Sequence, residues 1–156
     1  MAMESVWDYP RPPRLEPTVK RLTVELDGVV VAETTRAHRV LETSHPPIYY
    51  IPPDDILDGA LQRSGGRGSM CEWKGAATYY DVIVGDKRVE RAAWTYLSPT
   101  PAFAAIRDAG AFYPELMDSC TVDGEVVAPQ PGSFYGGWIT SDLVGPFKGE
   151  PGTAGW

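Results

Sequence analysis

The sequence is short of several residue types, and each shortage excludes a class of protein. It has two cysteines, two histidines and no Cys-x-x-Cys pair, so we predict free thiols at Cys71 and Cys120 and no metal site. Fourteen Lys and Arg residues against 21 Asp and Glu leave a net charge of −7. This balance argues against a nucleic-acid partner, because binding a phosphate backbone needs a basic face.

Long apolar runs and common catalytic motifs are also missing. No run is long enough to span a membrane, and residues 1–13 lack the basic and apolar regions of a signal peptide. We therefore predict no membrane partner and a cytoplasmic location. The sequence has no P-loop, no Gly-x-Gly-x-x-Gly after a strand and no Gly-x-Ser-x-Gly elbow, so we expect no cofactor.

The chain is predicted to form one mainly β domain. Its length and its 43% hydrophobic content suit a single core. Four prolines in residues 7–17 disfavour helix and strand alike, so residues 1–17 are predicted to be an extended arm packed on a β domain over 18–156. Trp7 and Tyr9 are the side chains expected to pin this arm.

Three tight turns predict antiparallel hairpins, at Asp27-Gly28, Gly85-Asp86 and Asp123-Gly124. Residues 48–51 and 70–84 are predicted as strands, and residues 39–42 fit a strand or a helical face, of which we favour the strand. Residues 54–62 and 99–109 are the helix candidates. The predicted fold class is thus antiparallel β-hairpins with one or two short helices.

The run CEWKG at 71–75 carries the first candidate site. If it is a strand, Glu72 and Lys74 point to one face about 7 Å apart, while Cys71 and Trp73 point to the other. Glu72 is then a candidate general acid or base, and Lys74 a candidate for holding an anion or a developing negative charge. A solvated ion pair beside a half-buried Trp73 is the alternative.

Other candidates lie in the aromatic and proline-rich runs. His45 is a candidate imidazole catalyst or a turn-capping residue, and Arg39 is a candidate anion contact or a surface ion-pair partner. In FYGGW, Gly136 and Gly137 allow close approach of the backbone between two ring walls, or a bulge that closes the core. The predicted ligand contacts are completed by Tyr50, Trp73, Tyr80, Tyr135, Trp138 and Lys148.

The runs RVLETSHPPIYYIP, CEWKGAATYYDV, AFYP, FYGGWIT and GPFKGEPGT together resemble the bacterial and fungal domain of unknown function 427 family, over nearly the whole chain. The resemblance implies a β-tent-like domain, related to small zinc-binding and ligand-binding β domains. A nucleotidyltransferase-like label given to the family implies a strand with two metal-binding carboxylates after a Gly-Gly turn. Here Gly65-Gly66 is followed at 81–84 by a single carboxylate, Asp81.

These observations lead to one main hypothesis and two alternatives. The main hypothesis is a protein that binds a small polar metabolite in an aromatic-lined pocket, with metal-free acid/base catalysis by Glu72 and Lys74 as an open possibility. One alternative is a protein-interaction or scaffold module with a flat aromatic surface. The other is nucleotidyl transfer. The sequence leaves the oligomeric state open, including a homodimer.

Overall fold

A computed structural model describes residues 3–132 and 134–156, and its regular structure is mainly β, which confirms the predicted fold class. The strands in the described residues are short except for two long ones in the middle of the chain. They are β1 (Glu4–Ser5), β2 (Arg14–Pro17), β3 (Leu22–Leu26), β4 (Val29–Thr34), β5 (His38–Leu41), β6 (Ile48–Tyr50), β7 (Leu61–Arg63), β8 (Ser69–Cys71), β9 (Gly75–Val84), β10 (Lys87–Thr95), β11 (Ala111–Phe112), β12 (Ser119–Val122), β13 (Glu125–Val126), β14 (Ala128–Pro129), β15 (Trp138–Ile139) and β16 (Leu143–Val144).

The helical segments of the described chain are all of the 3₁₀ type, at Val6–Asp8, Pro53–Asp55, Pro101–Ile106 and Pro114–Leu116. The helix predicted over 54–62 was wrong beyond its first residues, because the chain after it bonds to the sheets instead. Ile56 bridges to Ala32, and β7 pairs with β9. The helix predicted over 99–109 is present only as Pro101–Ile106, and it is kinked at Phe103. No helix in the described ranges is both long and apolar enough to cross a membrane.

Three sheets carry most of the pairing. The largest has the order β11-β10-β9-β7, with β8 also paired to β9, and all of its pairs are antiparallel. The second has the order β13-β12-β3-β4, and the third has the order β2-β5-β6. Two small pairs form outside these sheets, β1 with β16, which joins the N-terminal and C-terminal segments, and β14 with β15. The C-terminal segment is held to the body by backbone hydrogen bonds such as that from the Trp138 N–H to the Pro47 carbonyl oxygen at 2.9 Å.

The three predicted hairpins are confirmed. Asp27-Gly28 joins β3 to β4 and Asp123-Gly124 joins β12 to β13, and both residues of each turn have positive φ. This is the type I′ geometry that matches the twist of paired strands. Gly85-Asp86 joins β9 to β10 with positive φ at Gly85 alone. Positive φ at the first turn residue alone is the type II′ pattern, in which glycine is favoured at that position.

Strand β9 separates two hydrophobic cores. Val82 and Val84 face a mainly aliphatic core, called the aliphatic core below, that also contains residues of β3 and β12. Ala77 and Tyr79 face an aromatic core with Trp94. Successive side chains of a strand point to opposite faces, so one strand can serve both cores. This alternation decides which of the adjacent residues Tyr79 and Tyr80 belongs to which core.

The N-terminal residues form paired strands as well as an extended stretch. β2 pairs with β5, which sets Glu16 directly opposite Arg39. Arg39 Nε donates to Glu16 Oε1 at 2.7 Å, and its Nη1 donates to Glu4 Oε1 at 2.9 Å. Tyr9 is buried, and Trp7 Nε1 donates to the carbonyl oxygen of Pro146 at 2.8 Å. Residues 4–17 are therefore attached by a ladder, by ion pairs and by two rings.

Candidate functional site

The candidate site is a cavity of about 370 Å³ on the aromatic-core side of β9 and β10. Its size lies at the lower end of the range for small-molecule sites. Its walls combine eight aromatic residues with three cationic side chains, two carboxylates, one imidazole and one thiol. The lining residues are Arg11, Glu42, His45, Ile48, Tyr50, Ser69, Met70, Cys71, Glu72, Trp73, Lys74, Ala77, Tyr79, Trp94, Tyr96, Tyr113, Phe134, Tyr135 and Lys148.

Residues 72–74 form a tight turn at the cavity, not the continuous strand that we predicted over 70–84. Cys71 pairs with Gly75 across the β8–β9 hairpin, and Gly75 has a φ of 111° that favours glycine. Thr100 holds the turn, since its Oγ1 donates to the Trp73 carbonyl oxygen at 2.6 Å and its N–H donates to the Lys74 carbonyl oxygen at 3.0 Å. The predicted alternation along CEWKG was therefore wrong.

The turn nevertheless brings the predicted polar pair to the cavity. Lys74 is only 6% exposed, and its Nζ lies 5.9 Å from the centre of the Tyr96 ring. Glu72 is exposed and borders the cavity from the same turn. The two residues differ in burial because the turn aims one of them inward and leaves the other at the rim.

The aromatic walls come from neighbouring strands. Tyr79 of β9 and Trp94 of β10 are directly opposed, and side chains at opposed positions share a face of the sheet. The Trp94 ring centre lies 4.7 Å from that of Tyr113 and 6.4 Å from that of Tyr50. Burial raises the pKa of Tyr50, Tyr96 and Tyr113, so these phenols are neutral hydrogen-bonding groups at physiological pH.

The glycines of FYGGW support these walls from behind. A Cβ on Gly136 would lie 2.5 Å from Trp94 Cη2, and a Cβ on Gly137 would lie 2.6 Å from both Pro46 Cγ and Gln130 Oε1. Distances of this kind leave no room for a side chain at either position. We predicted that these two glycines would let the backbone approach a ligand closely. Gly136 instead lies against Trp94, and Gly137 lies against the segment that carries His45.

His45 is buried beside the cavity, deeper than the strand mouth where we expected it, and its hydrogen bonds define its tautomer. The Gly137 N–H donates to Gln130 Oε1 at 3.1 Å, which leaves Gln130 Nε2 to donate to the Lys148 carbonyl oxygen and to His45 Nδ1 at 3.2 Å. Nδ1 is then the acceptor, so Nε2 carries the hydrogen. Burial, with the charges of Lys148, Arg11 and Lys74, lowers the pKa of His45 to about 3. The ring is therefore a neutral donor.

Three predicted ligand contacts lie outside the cavity lining. Arg39 binds Glu4 and Glu16, Tyr80 packs on the aliphatic core, and Trp138 is 1% exposed in that same core. The indole Nε1–H of Trp138 donates to the Phe112 carbonyl oxygen at 3.1 Å, which satisfies its polar atom inside the core. The lining does include Glu72, Lys74, His45, Tyr50, Trp73, Tyr135 and Lys148.

Several lining residues were not predicted as site residues. Tyr79 was missed for its neighbour Tyr80, because the alternation along β9 puts the two rings on opposite faces without indicating which face is enclosed. Trp94, Tyr96 and Tyr113 stand in strand-like or loop sequence with no local mark of a site. Arg11, Glu42 and Phe134 reach the cavity only through tertiary packing.

The two thiols differ in their surroundings. Cys71 and Cys120 are free, as predicted, and Cys71 borders the cavity while Cys120 is buried in the aliphatic core.

Asp81 is buried at a bulge in β10, where it accepts hydrogen bonds from Ser64 Oγ, Arg88 Nη1 and the Arg91 N–H. Its carboxylate is therefore engaged in holding the bulge. In residues 3–132 and 134–156, no three His, Cys, Asp or Glu side chains are grouped to bind a metal ion.

The fold and the cavity define a mainly β protein with an aromatic-walled candidate binding site. Residues 14–123 match the family described as domain of unknown function 427, so the chain belongs to that family and the resemblance is confirmed. A comparison with curated proteins found no match. Most of the cavity lining falls within the matched region, and Arg11, Phe134, Tyr135 and Lys148 lie outside it.

Proposed function

We propose that the protein binds a small polar molecule in the cavity. The observation that carries this proposal is a partly enclosed space of about 370 Å³ whose walls are aromatic and whose interior contains a buried lysine without an ion-pair partner in the described chain. Apolar walls with a few fixed polar groups are typical of small-molecule sites. A flat interaction surface would not need such a space, which favours the small molecule over the scaffold alternative.

The polar groups of the cavity are held by structure independent of any ligand. Thr100 fixes the turn that carries Lys74, and Gln130 links His45 to the Lys148 backbone. The Lys148 N–H also donates to the Ser44 carbonyl oxygen at 2.9 Å. Groups that are positioned before binding lose little freedom when a ligand arrives, so this arrangement suits recognition.

The test is a thermal-shift screen of the purified protein with metabolites, nucleotides and divalent metals, because a ligand of the folded state raises the melting temperature by mass action. Tyr135→Ala removes a half-buried wall ring and is expected to abolish the shift caused by a hit. Tyr80→Ala removes a half-buried ring outside the cavity and should keep that shift.

Two results would contradict the proposal. One is a screen in which no compound raises the melting temperature of the folded protein. The other is a hit whose shift survives Tyr135→Ala and disappears in Tyr80→Ala, since that pattern would put the ligand elsewhere.

Acid/base catalysis is the second candidate function, and the joint presence of Glu72, Lys74 and His45 at one cavity favours it. Glu72 would act as the base or acid at the rim, and Lys74 would stabilise negative charge within. The neutral His45 ring would donate from Nε2. Incubation of a confirmed ligand with wild type and Glu72→Gln, followed by mass spectrometry, tests this role. A product formed equally by both proteins would remove Glu72 from the mechanism.

A further inference from the structure

Lys74 carries a positive charge at the wall of the cavity. Its side chain is almost wholly buried, and no ion pair joins its Nζ to a carboxylate in the described residues. Its close neighbour is the face of Tyr96 at 5.9 Å. A buried charge without a counter-charge costs free energy. Such a group is explained if a ligand supplies the missing negative charge.

Lys148 adds a second cation to the same cavity. Its Nζ lies 5.4 Å from the centre of the Tyr135 ring, and it likewise has no ion-pair partner within the described chain. Its backbone is held from both sides by Ser44 and Gln130, so the residue keeps its place at the wall. Each of these two lysines is close enough to His45 to lower its pKa. Both positive charges therefore act on His45.

Carboxylates do not cancel this positive end. Glu42 is paired with Arg11, at 3.2 Å between Nε and Oε2, and the same oxygen lies 3.8 Å from His45 Nε2. Glu72 is exposed at the rim, where water screens its charge. The cavity thus presents the buried ammonium group of Lys74, the half-buried ammonium group of Lys148 and one neutral N–H donor, a set that matches the oxygens of an acid group.

The remaining walls indicate what the acid group is attached to. The rings of Trp94, Tyr113 and Tyr50 follow one another at centroid distances of 4.7 and 6.4 Å, which is the spacing of edge and tilted aromatic contacts. Flat apolar surfaces of this kind favour a planar ring over a flexible chain.

We propose, on the basis of the function proposed above, that the ligand is a small aromatic acid, with its ring against Trp94 and Tyr113 and its anionic oxygens at Lys74, Lys148 and His45. A carboxylate and a phosphate ester share the required chemistry. Either group would provide the counter-charge that Lys74 lacks and would accept the hydrogen of His45 Nε2.

The experiment is an NMR titration of the ¹⁵N-labelled protein with four probes, which are benzoate, phenyl phosphate, benzamide and cyclohexanecarboxylate. At least one of the two aromatic acids is expected to bind about tenfold tighter than the neutral benzamide, which has the same ring. Cyclohexanecarboxylate keeps the acid without the planar ring and should bind more weakly than benzoate. Comparing benzoate with phenyl phosphate then assigns the acid group.

The matched variants are Lys74→Met and Lys87→Met. Lys74→Met is expected to weaken binding of the aromatic acid about ten- to a hundredfold while leaving benzamide unaffected. Lys87→Met removes an equal charge from an exposed position on the β9–β10 turn, so it should bind as wild type does. Lys74→Met should also melt no lower than wild type, because it removes an uncompensated buried charge and keeps the length of the side chain.

The outcomes separate this inference from the proposed function. Equal affinity for benzamide and benzoate, or no effect of Lys74→Met on acid binding, would overturn the aromatic acid and leave the cavity as a site for neutral ligands. If none of the four probes binds, the aromatic acid is also overturned. The proposed function then depends on the broader screen, and it fails only if that screen gives no Tyr135-dependent hit either.

Discussion

His45 shows how a single side chain changes its role when its surroundings are known. Between Ser44 and two prolines it had the sequence context of an exposed catalyst or a turn cap. Its ring is buried instead, accepts from Gln130 at Nδ1 and packs edge-on against Tyr135 with ring centres 5.0 Å apart. A histidine with this environment is a neutral donor fixed in one tautomer, and it does not take up a proton near neutral pH.

The depressed pKa of His45 predicts a pH dependence of stability. The folded state, with a pKa of about 3, binds the proton less readily than the unfolded state, whose value is near 6.5. Stability is therefore full above pH 6.5 and falls as the pH decreases toward 3. Between pH 7 and pH 5 we expect a loss of about 2 kcal/mol from this residue.

Urea denaturation at pH 7, 6 and 5 measures this effect, and His45→Asn tests its source. Asparagine keeps an acceptor for Gln130 but does not titrate, so the variant should show a flatter decline between pH 7 and pH 5. His38→Asn is the control, at a half-exposed position of β5, and its stability should decline with pH as steeply as that of wild type. An unchanged slope in His45→Asn would show that the acid sensitivity comes from other groups.

At the scale of elements, β2 and β5 show what holds the N-terminal residues. Arg39 of β5 lies between two carboxylates, Glu16 of the opposed strand and Glu4 of β1. We predicted Arg39 as a ligand contact or as an ion-pair partner, and the geometry places it in the pair and outside the cavity lining. The ion pairs therefore link three segments of chain that are far apart in sequence.

Arg39→Met is expected to lower the free energy of unfolding by about 2 kcal/mol or more, because it leaves two partly buried carboxylates without their partner. Chemical denaturation measures the loss. Arg36→Met removes a much more exposed guanidinium, which pairs with Asp55, and should have a clearly smaller effect. Ligand affinity of Arg39→Met should equal that of wild type, and a large loss of affinity would return Arg39 to the binding site.

At the scale of the whole molecule, the two cores share strands β9 and β10. Val82 faces the aliphatic core, and Tyr79, three residues earlier, faces the aromatic core and the cavity. Neither core can lose its packing without releasing a strand that the other needs. This sharing predicts a single cooperative unfolding transition, in which circular dichroism and tryptophan fluorescence report the same midpoint.

The variant Val82→Ala tests this coupling. Val82 is fully buried, so the cavity left by its methyl groups should cost about 2 kcal/mol and shift both signals together. Val19→Ala is the control, since Val19 is 87% exposed and its truncation should change stability little. Two separate transitions, with only one of them moved by Val82→Ala, would show that the cores unfold independently.

The sequence alone was sufficient for the features that depend on neighbouring residues. The Asp27-Gly28 and Asp123-Gly124 hairpins followed from turn chemistry, because few residues adopt positive φ at two consecutive positions. The mainly β fold class and the family followed from the same local patterns. Glu72, Lys74 and His45 were candidates from sequence, because polar groups among prolines, glycines and rings are rare in an ordinary core, and all three line the cavity.

Tertiary structure alone decided which of the aromatic residues face the cavity. Tyr79 and Tyr80 have the same local sequence character, and they differ only in the face of β9 from which each points. Likewise, Trp138 closes the aliphatic core and Trp94 lines the cavity, although both stand in strands. A strand has two faces that sequence does not label, and the packing of one sheet against the others determines which face is enclosed. The site is therefore a property of the assembled sheets.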